Sequence, residues 1–155
     1  MRKFLFALAA VLVAGVASAD QVLNVAGFKG ASTDKNILVE VYNADGVAHT
    51  NGSVVVYGAN TAYGLAITST TSASSTLGAG VVYPTTIAAN SFGTIMIYGY
   101  HPAVKVGVVT AVGSLLGTST SADIAGVVSG VGTVIARALE VTTSSTTVKA
   151  LVCPK

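Results

Sequence analysis

The chain has 155 residues, enough for one compact domain rather than two. Charged residues make up only 9% of it, against about 25% in a typical soluble domain. Its lysines and arginines do not form the clusters that bind nucleic-acid phosphates or anionic lipids, so neither partner is expected. Surfaces with so little charge repel one another weakly, which favours self-association.

The N-terminus has the three-part pattern of a secretory signal peptide. Residues 1–19 contain two early cations, then a long apolar run, and end in a small-x-small sequence. Cleavage is therefore predicted between Ala19 and Asp20, which leaves residues 20–155 as a single exported β-rich domain that is not membrane-bound. Because both cations leave with the leader, six basic and six acidic residues remain, and the mature chain has no formal net charge.

The first half of the mature chain has the patterns of short β-strands. Residues 36–43 alternate apolar side chains between two faces, which is typical of a strand. The turn signals Asp45-Gly46 and Asn51-Gly52 predict a hairpin-rich meander over residues 36–58. Further strands are predicted over residues 21–28, 62–68, 81–83 and 93–98.

The second half continues in the same way. Pro102 is predicted to break the strand pattern, which resumes after it. Residues 133–141 and 146–153 are predicted to pair as core strands, with Ile135 and Leu139 buried, and residues 117–123 are predicted to form an exposed turn. Because no long segment has apolar residues at helical spacing, the sequence predicts an all-β domain, a single small β-sandwich or β-barrel.

No catalytic, cofactor-binding or metal-binding motif is present, so the sequence predicts no enzyme activity, no cofactor and no metal site. His49 lies between two turn signals and His101 precedes a proline. A solvated turn histidine and a loop histidine are the simpler interpretations of these two residues. The carboxylates form no close pair in the sequence, although a hydrolase pair assembled by the fold remains open.

Tyrosines and a lone cysteine are the candidate interface residues. The chain has six tyrosines and no tryptophan, and tyrosine combines apolar area with a polar tip that suits interfaces. Tyr42, Tyr57 and Tyr98 are predicted to lie at an interface, with core positions as the alternative. Cys153 cannot form an internal disulfide, so it is either an unreacted thiol or the site of a disulfide between subunits.

Residues 115–140 resemble small β-rich structural proteins of tailed phages, in particular head-decoration, capsid-stabilising and fibre-type proteins. The resemblance lies in residues 116–119 (LGTS), in Gly126 and in residues 134–140 (VIARALE), and it extends over residues 36–152. It implies a non-enzymatic homo-oligomer that decorates or reinforces a capsid or cell-surface assembly. The leader departs from this family, because decoration proteins load onto capsids inside the cell.

Two main functional hypotheses follow from these patterns. The first is an exported structural protein that self-associates, located at the virion surface if the phage resemblance holds. The second is a secreted β-sandwich module that binds a glycan or cell-envelope ligand, which the leader and the tyrosines suggest. A secreted hydrolase is a third hypothesis, and it rests only on carboxylate pairs that the fold would have to assemble.

Overall fold

The computed structural model describes residues 36–58, 65–73, 75–128, 132–144 and 146–155. These residues form nine β-strands and no helix, and therefore no apolar helix of membrane-spanning length. The strands are β1 (Ile37–Asn43), β2 (Val54–Tyr57), β3 (Ala66–Thr68), β4 (Gly78–Val82), β5 (Phe92–Lys105), β6 (Leu115–Thr118), β7 (Ala125–Val127), β8 (Ala136–Ala138) and β9 (Thr147–Val152). The all-β class is confirmed.

Two predictions at the N-terminus fall outside the described residues. They are the signal peptide over residues 1–19, with its cleavage site between Ala19 and Asp20, and the strand over residues 21–28. They stay predictions from the sequence.

The first five strands close into a barrel. They are neighbours in the order β1-β3-β2-β4-β5, and β5 also pairs antiparallel with β1. The pair β1–β3 is parallel, and the other pairs of the barrel are antiparallel. The predicted meander over residues 36–58 is therefore wrong. β3 lies between β1 and β2, so the two turn signals sit in a long connection rather than in a tight hairpin.

Alternation along the barrel strands sends side chains to two apolar clusters. One cluster fills the barrel, and the other lies between the barrel wall and the second sheet. Neighbouring residues of β2, β4 and β5 divide between the clusters, as in Val54 and Val55, Val81 and Val82, and Met96 and Ile95. Strands buried on both faces have continuous apolar runs, which explains the sequence VVVY of β2.

β5 is 14 residues long and belongs to both parts of the fold. Its first half pairs with β1 and β4, and from Gly99 onward it pairs with β9. Pro102 was predicted to break this strand, but β5 continues through it. The register shifts between His101 and Val104, and a proline is tolerated at such a bulge because the ladder does not need its missing N–H there.

The second sheet has the order β5-β9-β8-β6-β7. Val106, directly after β5, bridges in parallel to Ala125 of β7, so the sheet curls back toward β5. The sequence did not predict β7, because its small residues carry a weak strand signal. The exposed turn predicted over residues 117–123 is shorter than expected, since Gly117 and Thr118 are buried in β6.

The predicted pairing of the last two strands is confirmed. β8 and β9 are antiparallel, with Ala136 opposite Val152. Ile135 is buried as predicted, but the prediction for Leu139 is wrong, because this side chain is exposed. Ile135 and Ala136 are buried in succession, so the alternation shifts by one residue there, and Leu139 points outward with Arg137.

Candidate functional site

A buried histidine lies between two aspartates in the connection from β1 to β2. His49 Nδ1 is 2.8 Å from Asp123 Oδ1, and Nε2 is 3.1 Å from Asp45 Oδ2. The first contact has hydrogen-bond geometry, whereas the second is within ion-pair distance but is not aligned as a hydrogen bond. The prediction of a solvated turn histidine is therefore wrong.

Backbone and side-chain contacts hold these three residues, which we call the His49 cluster, in place. The backbone of His49 exchanges two hydrogen bonds with that of Ile87. The Ser69 N–H donates to Asp45 Oδ2 at 2.5 Å, and the Asp123 carbonyl accepts from the Val54 N–H at 3.1 Å. The cluster therefore joins the connections that follow β1, β3, β4 and β6.

The chemistry open to the His49 cluster is limited by its geometry. Each imidazole nitrogen faces a different carboxylate, and the ring is fully buried. Within the described ranges, no three histidine, cysteine or carboxylate side chains are grouped so as to hold a metal ion. A fully buried ring that hydrogen-bonds Asp123 through Nδ1 and lies against Asp45 through Nε2 is suited to joining loops rather than to proton transfer with a substrate.

The second histidine is also buried, so the interpretation of His101 as a loop histidine is wrong. Its Nδ1 accepts a hydrogen bond from the Ala103 N–H at 3.1 Å. Its Nε2 lies 3.3 Å from the Val82 carbonyl oxygen and 3.2 Å from Asn51 Oδ1. Burial lowers the pKa of His101, and the Val82 carbonyl offsets part of this shift. The neutral ring with its proton on Nε2 satisfies these contacts.

We expect His101 to make the protein less stable as the pH falls below neutral. The folded pKa lies below the unfolded one, so the unfolded chain takes up the proton first. The contribution of neutral His101 is complete above an unfolded pKa of about 6.5, and it is lost as the pH falls through the folded pKa. Urea denaturation between pH about 7.5 and about 5 measures this loss.

The matched variant for this prediction is His101→Gln, whose side-chain amide does not titrate. His49 is present in both proteins, so the difference between their pH profiles isolates His101. The variant should lose less stability on acidification than the wild type. Parallel profiles would contradict the prediction.

The four residues predicted as an interface do not form one patch, although Tyr98 and Cys153 lie one step beyond the Gly99–Val152 pair of β5 and β9. Tyr42 is half-buried and meets the Phe92 ring edge-on, with ring centroids 5.3 Å apart, and Tyr57 packs against the cluster inside the barrel. Tyr98 is exposed on β5. Cys153 is a free, half-buried cysteine that follows β9 in the second sheet.

A set of exposed apolar side chains lies where two loops extend the β6–β8 pair. The Thr142 N–H donates to the Thr110 carbonyl at 3.0 Å, and the two buried threonine hydroxyls are 3.2 Å apart. We call the exposed apolar residues around this link the apolar tip: Val109, Val112, Leu139 and Val141. The three valines are 60%, 65% and 61% exposed, respectively.

Strand patterns in the sequence covered three of the four apolar-tip residues: Leu139 and Val141 in the predicted strand over residues 133–141, and Val109 in the pattern that resumes after Pro102. The strand pattern after Pro102 runs over residues 104–109 (VKVGVV), and a strand period does not show that Val109 is exposed. The meeting of the two loops depends on the contact between Thr142 and Thr110, which are far apart in the chain.

A fold of this kind is known from a phage structural protein. The N base of the head fibre protein gp8.5 of bacteriophage phi29 superposes with a TM-score of 0.55 at 14% identity, over 74% of this chain and 93% of that one. At this identity the likeness concerns the fold alone. No protein-family model matches the chain, and no curated protein matches it either.

Proposed function

We propose that this chain is a non-enzymatic structural protein that self-associates and decorates or reinforces the surface of a virion or a cell. The observation that carries the proposal is the similarity of its fold to the head fibre base of phage phi29, which extends over 93% of that base. The proposal retains the predicted leader over residues 1–19 and a single mature domain over residues 20–155.

The exposed apolar surface supports self-association. Val112 and Val141 each expose more than half of their surface, and the buried threonine pair holds their loops together. Contiguous exposed apolar residues on an ordered scaffold are typical of protein–protein contacts. The proposal includes no catalytic step, because both buried histidines are engaged by protein groups.

Replacing Val112 and Val141 with serine should reduce self-association. The double variant V112S/V141S removes two exposed apolar side chains from the apolar tip and leaves the buried threonine link intact. Sedimentation equilibrium of the purified protein should show oligomers for the wild type and at least a tenfold weaker association for the variant, about 1.4 kcal/mol.

The matched control is V47S/L77S, which removes two exposed apolar side chains outside the apolar tip. We expect this control to associate like the wild type. Wild-type protein that stays monomeric at high concentration, and that is absent from particles purified from producing cells, would contradict the proposal.

A secreted binding module is the second candidate, and one observation favours it. Tyr98 and Tyr100 both point outward from β5, two residues apart, and both are exposed. Neighbouring exposed rings on one strand face could stack against a sugar. Binding on a glycan array that is lost in Y98A/Y100A would support this function over the structural one.

A further inference from the structure

The outer face of the second sheet carries a groove next to Tyr100, which lies opposite Leu151 of its lining. Its volume is about 340 Å³, near the lower end of the roughly 300–1,000 Å³ typical of ligand pockets. It is lined by Leu115, Val134, Arg137, Leu151, Cys153 and Lys155. We call it the outer groove. Its size suits a few side chains of a peptide rather than a folded domain.

Strand register builds the floor of the outer groove. Leu115 of β6 lies opposite Arg137 of β8, which lies opposite Leu151 of β9. β8 is therefore an interior strand, and the groove lies on a sheet face rather than at a free edge. A ligand on this face is recognised by side chains, since the backbone groups of an interior strand are already paired.

The C-terminal residues complete one side of the groove. The Cys153 N–H donates to the Ile135 carbonyl, and the Lys155 N–H donates to the Val134 carbonyl, both at 2.9 Å. These bonds continue the β8–β9 pairing beyond both strands. They hold Lys155 close to the groove, so its ammonium adds to the charge of Arg137.

The lining side chains of the outer groove carry an excess of positive charge. Two of its lining residues are cations, and none is an acid. Nearby Lys149 is paired with an acid, because its ammonium is 3.1 Å from the Glu140 carboxylate. The hydrogen bond from the Lys149 N–H lowers the pKa of that carboxyl. Among the described residues, neither Arg137 nor Lys155 forms an ion pair with a carboxylate.

We propose that the outer groove binds an extended peptide segment of a partner protein, with an Asp or Glu side chain flanked by apolar residues. The carboxylate is held by the Arg137 guanidinium, whose planar fork matches a carboxylate in two parallel hydrogen bonds, and by Lys155. The flanking apolar side chains pack on Leu115 and Leu151. This site differs from the apolar tip and does not depend on the proposed structural function.

A peptide array tests the charge preference of the groove. The probes are immobilised peptides of about twelve residues, in which each acidic–apolar sequence is paired with the same sequence carrying Asn or Gln in place of the acid. Wild-type protein should bind the acidic member about tenfold more strongly. The variant R137Q/K155Q should lose this preference, and binding should weaken as salt rises.

The control variant K105Q removes one positive charge outside the groove lining without releasing a carboxylate, and it is compared with the single groove variant R137Q. It should keep the preference for acidic peptides. Wild-type protein with no such preference, or an equal loss in both variants, would overturn the proposal. Thermal melts of the wild type and the variants show whether each protein is folded. Arg137 and Lys155 are exposed, so their replacement should lower the stability of the fold only slightly.

Cys153 reports where the peptide binds. It is the chain's single cysteine and one of the residues that line the groove, so it can be modified there with a maleimide. The best soluble acidic peptide should slow this modification severalfold, whereas its amide partner should not. Peptide binding that leaves the Cys153 rate unchanged would refute the location. If the modification of Cys153 slows as the protein concentration rises, with no peptide present, the groove binds a second copy of the chain, and the proposal is contradicted.

A negative result in the peptide experiments can be told apart from a failure of the proposed structural function. The peptide experiments use the isolated full chain and need no particle, whereas self-association is measured by sedimentation and depends on the apolar tip. Monomeric protein that still binds acidic peptides would remove the self-association proposal alone.

Discussion

Replacing Gly52 with alanine is expected to lower the free energy of unfolding by about 4 kcal/mol, enough to threaten folding. Its φ of +85° is in the left-handed region that glycine favours, and a Cβ there would lie 2.2 Å from the Ala103 carbonyl oxygen. The backbone cannot easily move away. Its N–H donates to the Val82 carbonyl, and its own carbonyl accepts from the Lys105 N–H, both at 3.0 Å.

Gly113 provides a control with the same backbone conformation. Its φ is also +85°, but no atom lies within 4 Å of the position that a Cβ would occupy. Alanine there should cost only the left-handed strain of about 1 kcal/mol. Urea denaturation of both variants separates the conformational cost from the cost of the close contact. If both variants lose the same free energy of unfolding, the close contact between the Gly52 backbone and β5 does not require glycine.

The Asn51-Gly52 turn also holds the connection between β1 and β2 in place. Asn51-Gly52 is a tight-turn signal, and a turn is present. Its role is to place the Gly52 backbone against β5 next to the bulge at Pro102. Loss of this contact is expected to loosen the joint between the barrel and the second sheet, where β5 passes from one to the other.

Replacing His49 with alanine is expected to cost about 4 kcal/mol, because it breaks a buried polar link and leaves a cavity. Asp45 and Asp123 would then face each other across the vacated space without the ring that separates them. The backbone bonds of His49 with Ile87 remain possible in the variant, so the loss reports mainly on the side chain. Urea denaturation at neutral pH measures it.

Asp123→Asn is the milder partner of this variant. The asparagine carbonyl oxygen can accept the hydrogen bond from His49, and asparagine tolerates the φ of 65° found at this position. We expect a loss of about 1 kcal/mol, typical of one weakened hydrogen bond. If His49→Ala costs no more than Asp123→Asn, the His49 cluster does not hold the loops together.

Local patterns in the sequence determined much of the strand content. The alternation in residues 36–43 predicted β1, and the apolar run over residues 93–98 predicted the first half of β5. The pairing of β8 with β9 followed from two adjacent strand patterns joined by a short polar loop. These features are local, because side-chain period and turn chemistry depend on residues close together in the chain.

Tertiary structure alone decided which strands are neighbours and which polar residues meet. A period of two shows which side chains share a face, but it does not show that β3 lies between β1 and β2. His49 and Asp123 are 74 positions apart, so no spacing in the sequence indicated that the histidine would be buried against that carboxylate. The outer groove likewise exists only because β6, β8 and β9 bring Leu115, Arg137 and Leu151 side by side.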